Sequence, residues 1–319
     1  MQKILSNVSF ILGLLLSYSA FALQPNNLYV FGDSFSDNGN LATLFQYDFL
    51  NYPPYDHGFS NGPRAVEVLA TQLTLPLKPH YKLDGNLGSP YVPGTNYAFA
   101  GARAYDTRLP PRSPNLNEQV GLFLQTVYGV ADPQALYIVF IGGNDLRDAR
   151  DAASEASAKN LINMAVDAID SNVRTLLKAG AKAIMVVNSG DLGGIPETRT
   201  MAVSKHQPSL IKRSTELTRK FNEELAESVQ EIRRELHADH LVVFDFFSFS
   251  RFVTQEYLAL GFTDNQHACF SGVTFTFYAG CNNGLNFDQF VYFDETHPSA
   301  RTNERIGRAF YAVIPELTR

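Results

Sequence analysis

Four short, nearly unbroken apolar runs recur along this chain, at residues 28–31, 136–141, 183–187 and 241–244. A strand with one face in water alternates apolar and polar residues. A run without alternation therefore predicts a strand covered on both faces. Segments of helical spacing, 152–178 and 208–237, separate the last three runs. Strand, helix and strand in succession predict a mostly parallel sheet with helices on both faces. A further helix is expected over 63–73, with Pro63 at its first position and Asn61 as its cap. A last helix is expected over 299–314, after Pro298. Residues 40–60 are expected to be irregular. Residues 74–118, rich in Pro and Gly, are expected to form loops with one short turn at 97–100. No internal repeat or long linker interrupts the pattern, so 23–319 is read as one domain.

The first 22 residues are read separately, as an export signal. Lys3 precedes an apolar run over 8–16, and Ala20-Phe21-Ala22 then offers a small-x-small cleavage site. The run is short for a bilayer span of about 20 residues. Cleavage is expected near Ala22, with the mature chain secreted or periplasmic. Export places Cys269 and Cys281 where disulfides persist, and their closeness predicts one bridge around a small loop. Two cysteines alone make no structural zinc site. The net charge of −6 comes with no basic stripe, so nucleic acid is not an expected partner.

In a parallel sheet, ligands sit at the carboxyl ends of the strands, and three motifs fall there. Gly32-Asp33-Ser34 begins where the first run stops, which suits a serine exposed on a tight turn. The same residues equally suit an ordinary cap or turn. Gly142-Gly143-Asn144-Asp145 follows the strongest run, and the Asn144 amide can donate to an oxyanion. A glycine turn with an Asx cap fits that string as well. Near the end of the chain, Asp294 precedes His297 by three residues, a spacing that puts both on one side of a helical turn. A serine hydroxyl is a weak nucleophile and needs a base. His297 can supply it, Asp294 can orient the ring, and Asn144 with backbone amides can hold the developing charge.

In this order the motifs resemble the blocks of the GDSL or SGNH hydrolases, over nearly the whole mature chain. Gly32-Asp33-Ser34 is similar to the nucleophile block, with Phe35 where Leu is usual. The string 96–102 resembles the second block, whose glycine lends an oxyanion N–H; that role falls to Gly101. Residues 142–145 resemble the third block, and Asp294-x-x-His297-Pro298 the last. The resemblance implies a three-layer α/β/α sandwich and a shallow, flexible site without metal or organic cofactor. It also implies Ser34, His297 and Asp294 as catalytic residues, with Ser34, Gly101 and Asn144 as the oxyanion hole.

Among such proteins the chain looks most like exported bacterial lysophospholipases and acyltransferases. Short-acyl, choline-ester and carbohydrate-ester esterases remain alternatives, as does a secreted binding module on a hydrolase scaffold. Residues 244–293 are rich in Phe and Tyr, suited to ordinary core packing, to an acyl channel or to transient contact with membrane lipid. Phe275, Phe277 and Tyr278, inside the expected disulfide loop, are expected to touch substrate as a lid. The partner is expected to be a small-molecule or lipid ester, and the protein a monomer. A Gly-x-Ser-x-Gly elbow and a His-x-x-x-His pair are not expected, which sets aside α/β-hydrolases and metallohydrolases.

Overall fold

A computed structural model describes residues 24–81, 94–107 and 113–317. The expected leader, 1–22, lies outside the described residues. The four apolar runs become β1 (Leu28–Gly32), β2 (Leu136–Phe140), β3 (Ala183–Val187) and β4 (Leu241–Phe244), all parallel and adjacent in chain order. Gly32 lies beside Phe140, Phe140 beside Val187, and Val187 beside Phe244, so the carboxyl ends of all four strands come level.

Nine helices are described: α1 (Asn40–Phe45), α2 (Ala65–Leu73), α3 (Leu116–Thr126), α4 (Gly143–Asp151), α5 (Glu155–Ala179), α6 (Pro196–Ser204), α7 (Ser209–Leu236), α8 (Phe246–Gln255) and α9 (Ala300–Leu317). Side chains on a strand alternate between faces, and β2 divides the core accordingly. Tyr137 and Val139 join the apolar faces of α3, α5 and α7. Leu136, Ile138 and Phe140 join those of α2 and α9. Buried residues of α7 recur at Leu217, Phe221, Leu225, Val229 and Ile232, one stripe of a helix. The result is the expected three-layer sandwich.

Some local expectations are corrected. The segment 97–100 is not an isolated turn but runs beside β1, which it meets through a single parallel bridge between Val30 and Asn96. The Val30 N–H donates to the Thr95 carbonyl at 3.0 Å, Tyr97 N–H to the Val30 carbonyl at 2.7 Å, and Phe99 N–H to the Gly32 carbonyl at 3.1 Å. Its hydrogen bonds come from β1, remote in sequence, which local composition cannot foretell. Residues 40–60, expected to be irregular, begin with α1, and α3, α4, α6 and α8 are likewise helices beyond those expected; α4 holds charged residues and only Leu146 and Ala149 as buried apolar side chains. Asn61 does not cap α2, which starts at Ala65 with Arg64 as its N-cap. The Asn61 Oδ1 instead accepts from the Ala300 N–H at 2.9 Å, at the start of α9.

Between α8 and α9 the chain forms β5 (Asp264–Ala268), β6 (Phe270–Ser271), β7 (Thr276–Phe277) and β8 (Phe290–Tyr292). The pair β6 and β7 is a small antiparallel hairpin. Cys269 and Cys281 form a buried disulfide around it. No helix among the described residues is long and apolar enough to cross a membrane.

Candidate active site

The end of β1 is held by a side chain that imitates a strand. Gln119 of α3, fully buried, accepts the Gly32 N–H at 2.8 Å and donates to the Gly32 carbonyl at 2.9 Å. Immediately beyond, Ser36 and Asp37 N–H both donate to the Asp33 carbonyl at 3.0 Å, closing a tight turn. Ser34 sits at the top of that turn. Phe35 points beneath it, against Phe140 and Phe246, with ring centroids 5.4 and 6.1 Å away.

The Ser34 Oγ lies 2.7 Å from His297 Nε2. On the other side of the imidazole, Nδ1 is 2.8 Å from each Asp294 oxygen. All three residues are buried, with exposures of 8, 9 and 4% for Ser34, His297 and Asp294. A ring that donates from Nδ1 to a carboxylate keeps Nε2 free to accept the serine proton. The Asp294 spacing works differently from the expected helical turn. Its Oδ1 accepts from the N–H groups of Thr296 and His297 at 2.8 and 2.7 Å, an Asx-type turn. The Phe293 N–H donates to the His297 carbonyl at 2.9 Å and closes the loop. The His297 ring lies against Phe59 and Phe35, at 5.2 and 5.7 Å.

Each residue expected as an oxyanion donor is held in place by its own contacts, and Ser34 and Asn144 line one cavity. Asn144, in the first turn of α4, gives one amide hydrogen to the Ala102 carbonyl at 2.9 Å. Its Oδ1 accepts from Arg147 at 3.3 Å, which orients the amide and leaves its second hydrogen for a ligand. Arg147 is held in turn by Glu197, which also pairs with Arg150 at 2.7 Å. Asp37 binds the Ala100 N–H at 2.8 Å and so fastens the segment before Gly101 to the nucleophile turn. Gly101 has φ +78°, a left-handed backbone that suits glycine. Among the described residues, neither the Ser34 N–H nor the Gly101 N–H has a protein acceptor. Gly142 shares the positive φ, at +127°, and a Cβ there would in addition meet the Phe221 ring at 2.6 Å.

Two buried carboxyls underlie this arrangement. Burial pushes Asp33 up to about 6, against the opposing pull of the Phe35 N–H and of His297. Burial likewise pushes Asp145 up to about 7; the N–H groups of Ala104 and Tyr105 oppose it, and the charge of Asp33 adds to it. No group of three or more His, Cys, Asp or Glu side chains among the described residues could hold a metal ion.

A cavity opens beside Ser34 and Asn144, with apolar walls from Phe35, Phe140 and the α8 residues Phe246, Phe249 and Val253. The expected lid residues do not line it. Phe275 is 55% exposed and packs on Phe49 at 5.4 Å. Phe277 packs on Phe270 at 5.2 Å, and the Tyr278 hydroxyl donates to Glu295 at 2.8 Å. Sequence reasoning also missed Gln119, although a Gln within the stripe of Leu116, Val120 and Phe123 was a usable signal. A Gly-x-Ser-x-Gly string does occur, contrary to expectation, at Gly58-Phe59-Ser60-Asn61-Gly62. Ser60 is fully buried, follows no strand, and donates to the Pro298 carbonyl at 3.2 Å, so it is structural.

The model of the GDSL-like lipase/acylhydrolase family matches residues 28–310. GDSL esterase/lipase 7 of Arabidopsis thaliana is 25% identical, over 88% of this chain and 85% of that protein. Lipase 1 of Photorhabdus luminescens is 34% identical over 60% of this chain, a stretch that takes in 27% of the lipase. Among solved structures, an aryl esterase of M. smegmatis is similar, with a TM-score of 0.40 and 15% identity, covering 91% of this chain and 99% of the esterase.

Proposed function

We propose, from the premise that this chain belongs to the GDSL-like lipase/acylhydrolase family and hydrolyses ester bonds, that Ser34 is its nucleophile, His297 its general base and Asp294 the partner that orients the imidazole. The observation that carries this is the unbroken relay of 2.7 and 2.8 Å from the Ser34 hydroxyl through His297 to Asp294. Ser34 Oγ attacks the ester carbonyl carbon while His297 Nε2 takes its proton. The carbonyl oxygen becomes an oxyanion between the N–H groups of Ser34 and Gly101 and the free amide hydrogen of Asn144. Collapse of this intermediate expels the alcohol, protonated by His297. Water, activated by the same ring, then attacks the acyl-enzyme and restores Ser34.

The acyl chain lies along the cavity under α8, whose walls are apolar while its mouth holds the donors. That division of chemistry supports a lipid monoester of the lysophospholipid type, with acyl transfer when an alcohol replaces water. The acting form is a single domain, 23–319, a monomer released outside the cytoplasm after cleavage near Ala22.

Ser34→Ala should yield a folded protein that neither turns over esters nor reacts with a fluorophosphonate probe. Asn144→Ala should lower kcat by about 10²–10³. Substantial turnover by Ser34→Ala removes the nucleophile assignment. Mass-spectrometric analysis of products from a panel of lysophospholipids, short esters and acetylated sugars tests the substrate class; release of acetate alone points to a carbohydrate esterase.

A further inference from the structure

Two separate stretches bring aromatic side chains to one exposed patch. Tyr47 and Phe49, 44 and 41% exposed, lie 5.7 Å apart in the loop after α1. Phe275, at the tip of the β6–β7 hairpin, meets Phe49 edge-on at 5.4 Å. Val273, 81% exposed, and Tyr52, 66% exposed, extend the apolar character of these two stretches. Exposed rings in contact with one another, from segments more than 200 residues apart, are more than scattered surface apolar residues.

The backbone adds a second observation. Phe275 has φ +55°, a left-handed conformation that bulky side chains rarely adopt and that Gly or Asn would occupy more easily. The hairpin below it is tied by Cys269–Cys281, so the ring is held outward on a prepared base. Retaining Phe at an exposed and strained position suggests that the ring has a use there.

The charge pattern narrows the occupant. No Lys or Arg occurs between Lys3 and Arg64, or between Arg251 and Arg301, the two spans that supply the whole patch. Asp48 lies between Tyr47 and Phe49 in sequence and Asp56 follows Tyr52 by four residues, both acidic. Attraction to anionic lipid needs basic side chains, and the two spans that supply the patch have none. Position narrows it further. Three ring contacts lead inward from the patch: Phe49 to Tyr55 at 5.6 Å, Tyr55 to Phe59 at 6.0 Å, and Phe59 to His297 at 5.2 Å. Whatever covers the patch lies three ring contacts from the His297 imidazole. A lipid surface there would hold its own esters on the His297 side of the site, which a protein partner would not supply.

We infer that the Tyr47, Phe49 and Phe275 patch docks the protein on an uncharged, zwitterionic lipid surface, with its aromatic rings at the headgroup level. The choice of a lipid partner rests on the ester hydrolase reading and deepens it. The test uses full-length Ser34→Ala protein, so that binding is read without turnover, in flotation with phosphatidylcholine vesicles. Binding is expected, unchanged by 0.5 M salt and not raised by added phosphatidylserine. Phe49→Ser should weaken it about tenfold, the loss of one partly inserted ring. Phe275→Asn, which the left-handed backbone accommodates, should do the same without disturbing the fold. In the active protein, Tyr47→Ser and Phe49→Ser should leave turnover of a water-soluble short-chain ester unchanged and lower turnover of vesicle-borne ester. No flotation, or equal flotation by the variants, overturns the proposal. So does a fall from dimer to monomer on Phe49→Ser, which would make the patch a contact between copies. Intact flotation together with no ester turnover by the unsubstituted protein would remove the hydrolase mechanism and leave the docking surface standing.

Discussion

Gln119 shows how a single side chain can hold chemistry in place without taking part in it. It satisfies both backbone groups of Gly32, two residues before Ser34. Removing it leaves the buried Gly32 N–H without a partner, at a cost of about 1–3 kcal/mol, while the carbonyl keeps the Phe99 N–H. Gln119→Ala should therefore lower the denaturation midpoint. It should also reduce kcat more than it alters KM, since Ser34 loses its fixed geometry. Asp33 and Asp145 give a second prediction. Their folded values, about 6 and about 7, lie above the 3.8 of a free aspartate. Below about pH 4 both the folded and unfolded chains hold these protons. As pH rises from about 4 to 7, the unfolded chain releases them first, so stability falls and then levels off once the folded chain has ionised. Asp145→Asn should flatten that decline in melting temperature between pH 4 and 7. The roles of Ser34, Asn144 and His297 were suggested by short motifs, because their chemistry is local in sequence. Gln119 was not, because its partner lies 87 residues away.

Among the elements, α8 divides the aromatic stretch 244–293 into parts with different uses. Its residues Phe246, Phe249 and Val253 line the cavity, whereas Phe275 and Phe277 belong to a hairpin outside its lining. Composition placed the aromatics together; only the path of the chain separated them. Val253→Phe should narrow the cavity and shift the acyl profile toward short chains, with about tenfold lower kcat/KM for the longest ones. Profiling against an acyl-length series, beside a melting curve to exclude overpacking, reads this directly. The edge segment 95–99 carries the same lesson. Its Pro- and Gly-rich surroundings read as loop, yet β1 supplies the hydrogen bonds that make it strand-like and bring Gly101 to the site.

At the scale of the molecule, the site depends on joining residues 263 positions apart. The helix α9 does this by packing against α2 and the lower face of the sheet. Its Phe310 is fully buried, 4.8 Å from Phe244 and 6.0 Å from Phe140. Ser60 and Asn61 hold the Pro298 carbonyl and the Ala300 N–H immediately beyond His297. Phe310→Ala should cost about 3–5 kcal/mol. Ester turnover and far-UV circular dichroism should then be lost together on heating; turnover lost well before helix content would mean that the His297 loop detaches by itself. The sequence by itself determined the four buried strands, the long helices and the four motif blocks, since periodicity and side-chain chemistry are properties of consecutive residues. Tertiary structure alone decided that the Asn144 amide keeps one hydrogen free, that Asn61 serves α9, and which aromatics face the cavity. Those outcomes depend on neighbours brought together across the fold, and no local pattern encodes which neighbours they will be.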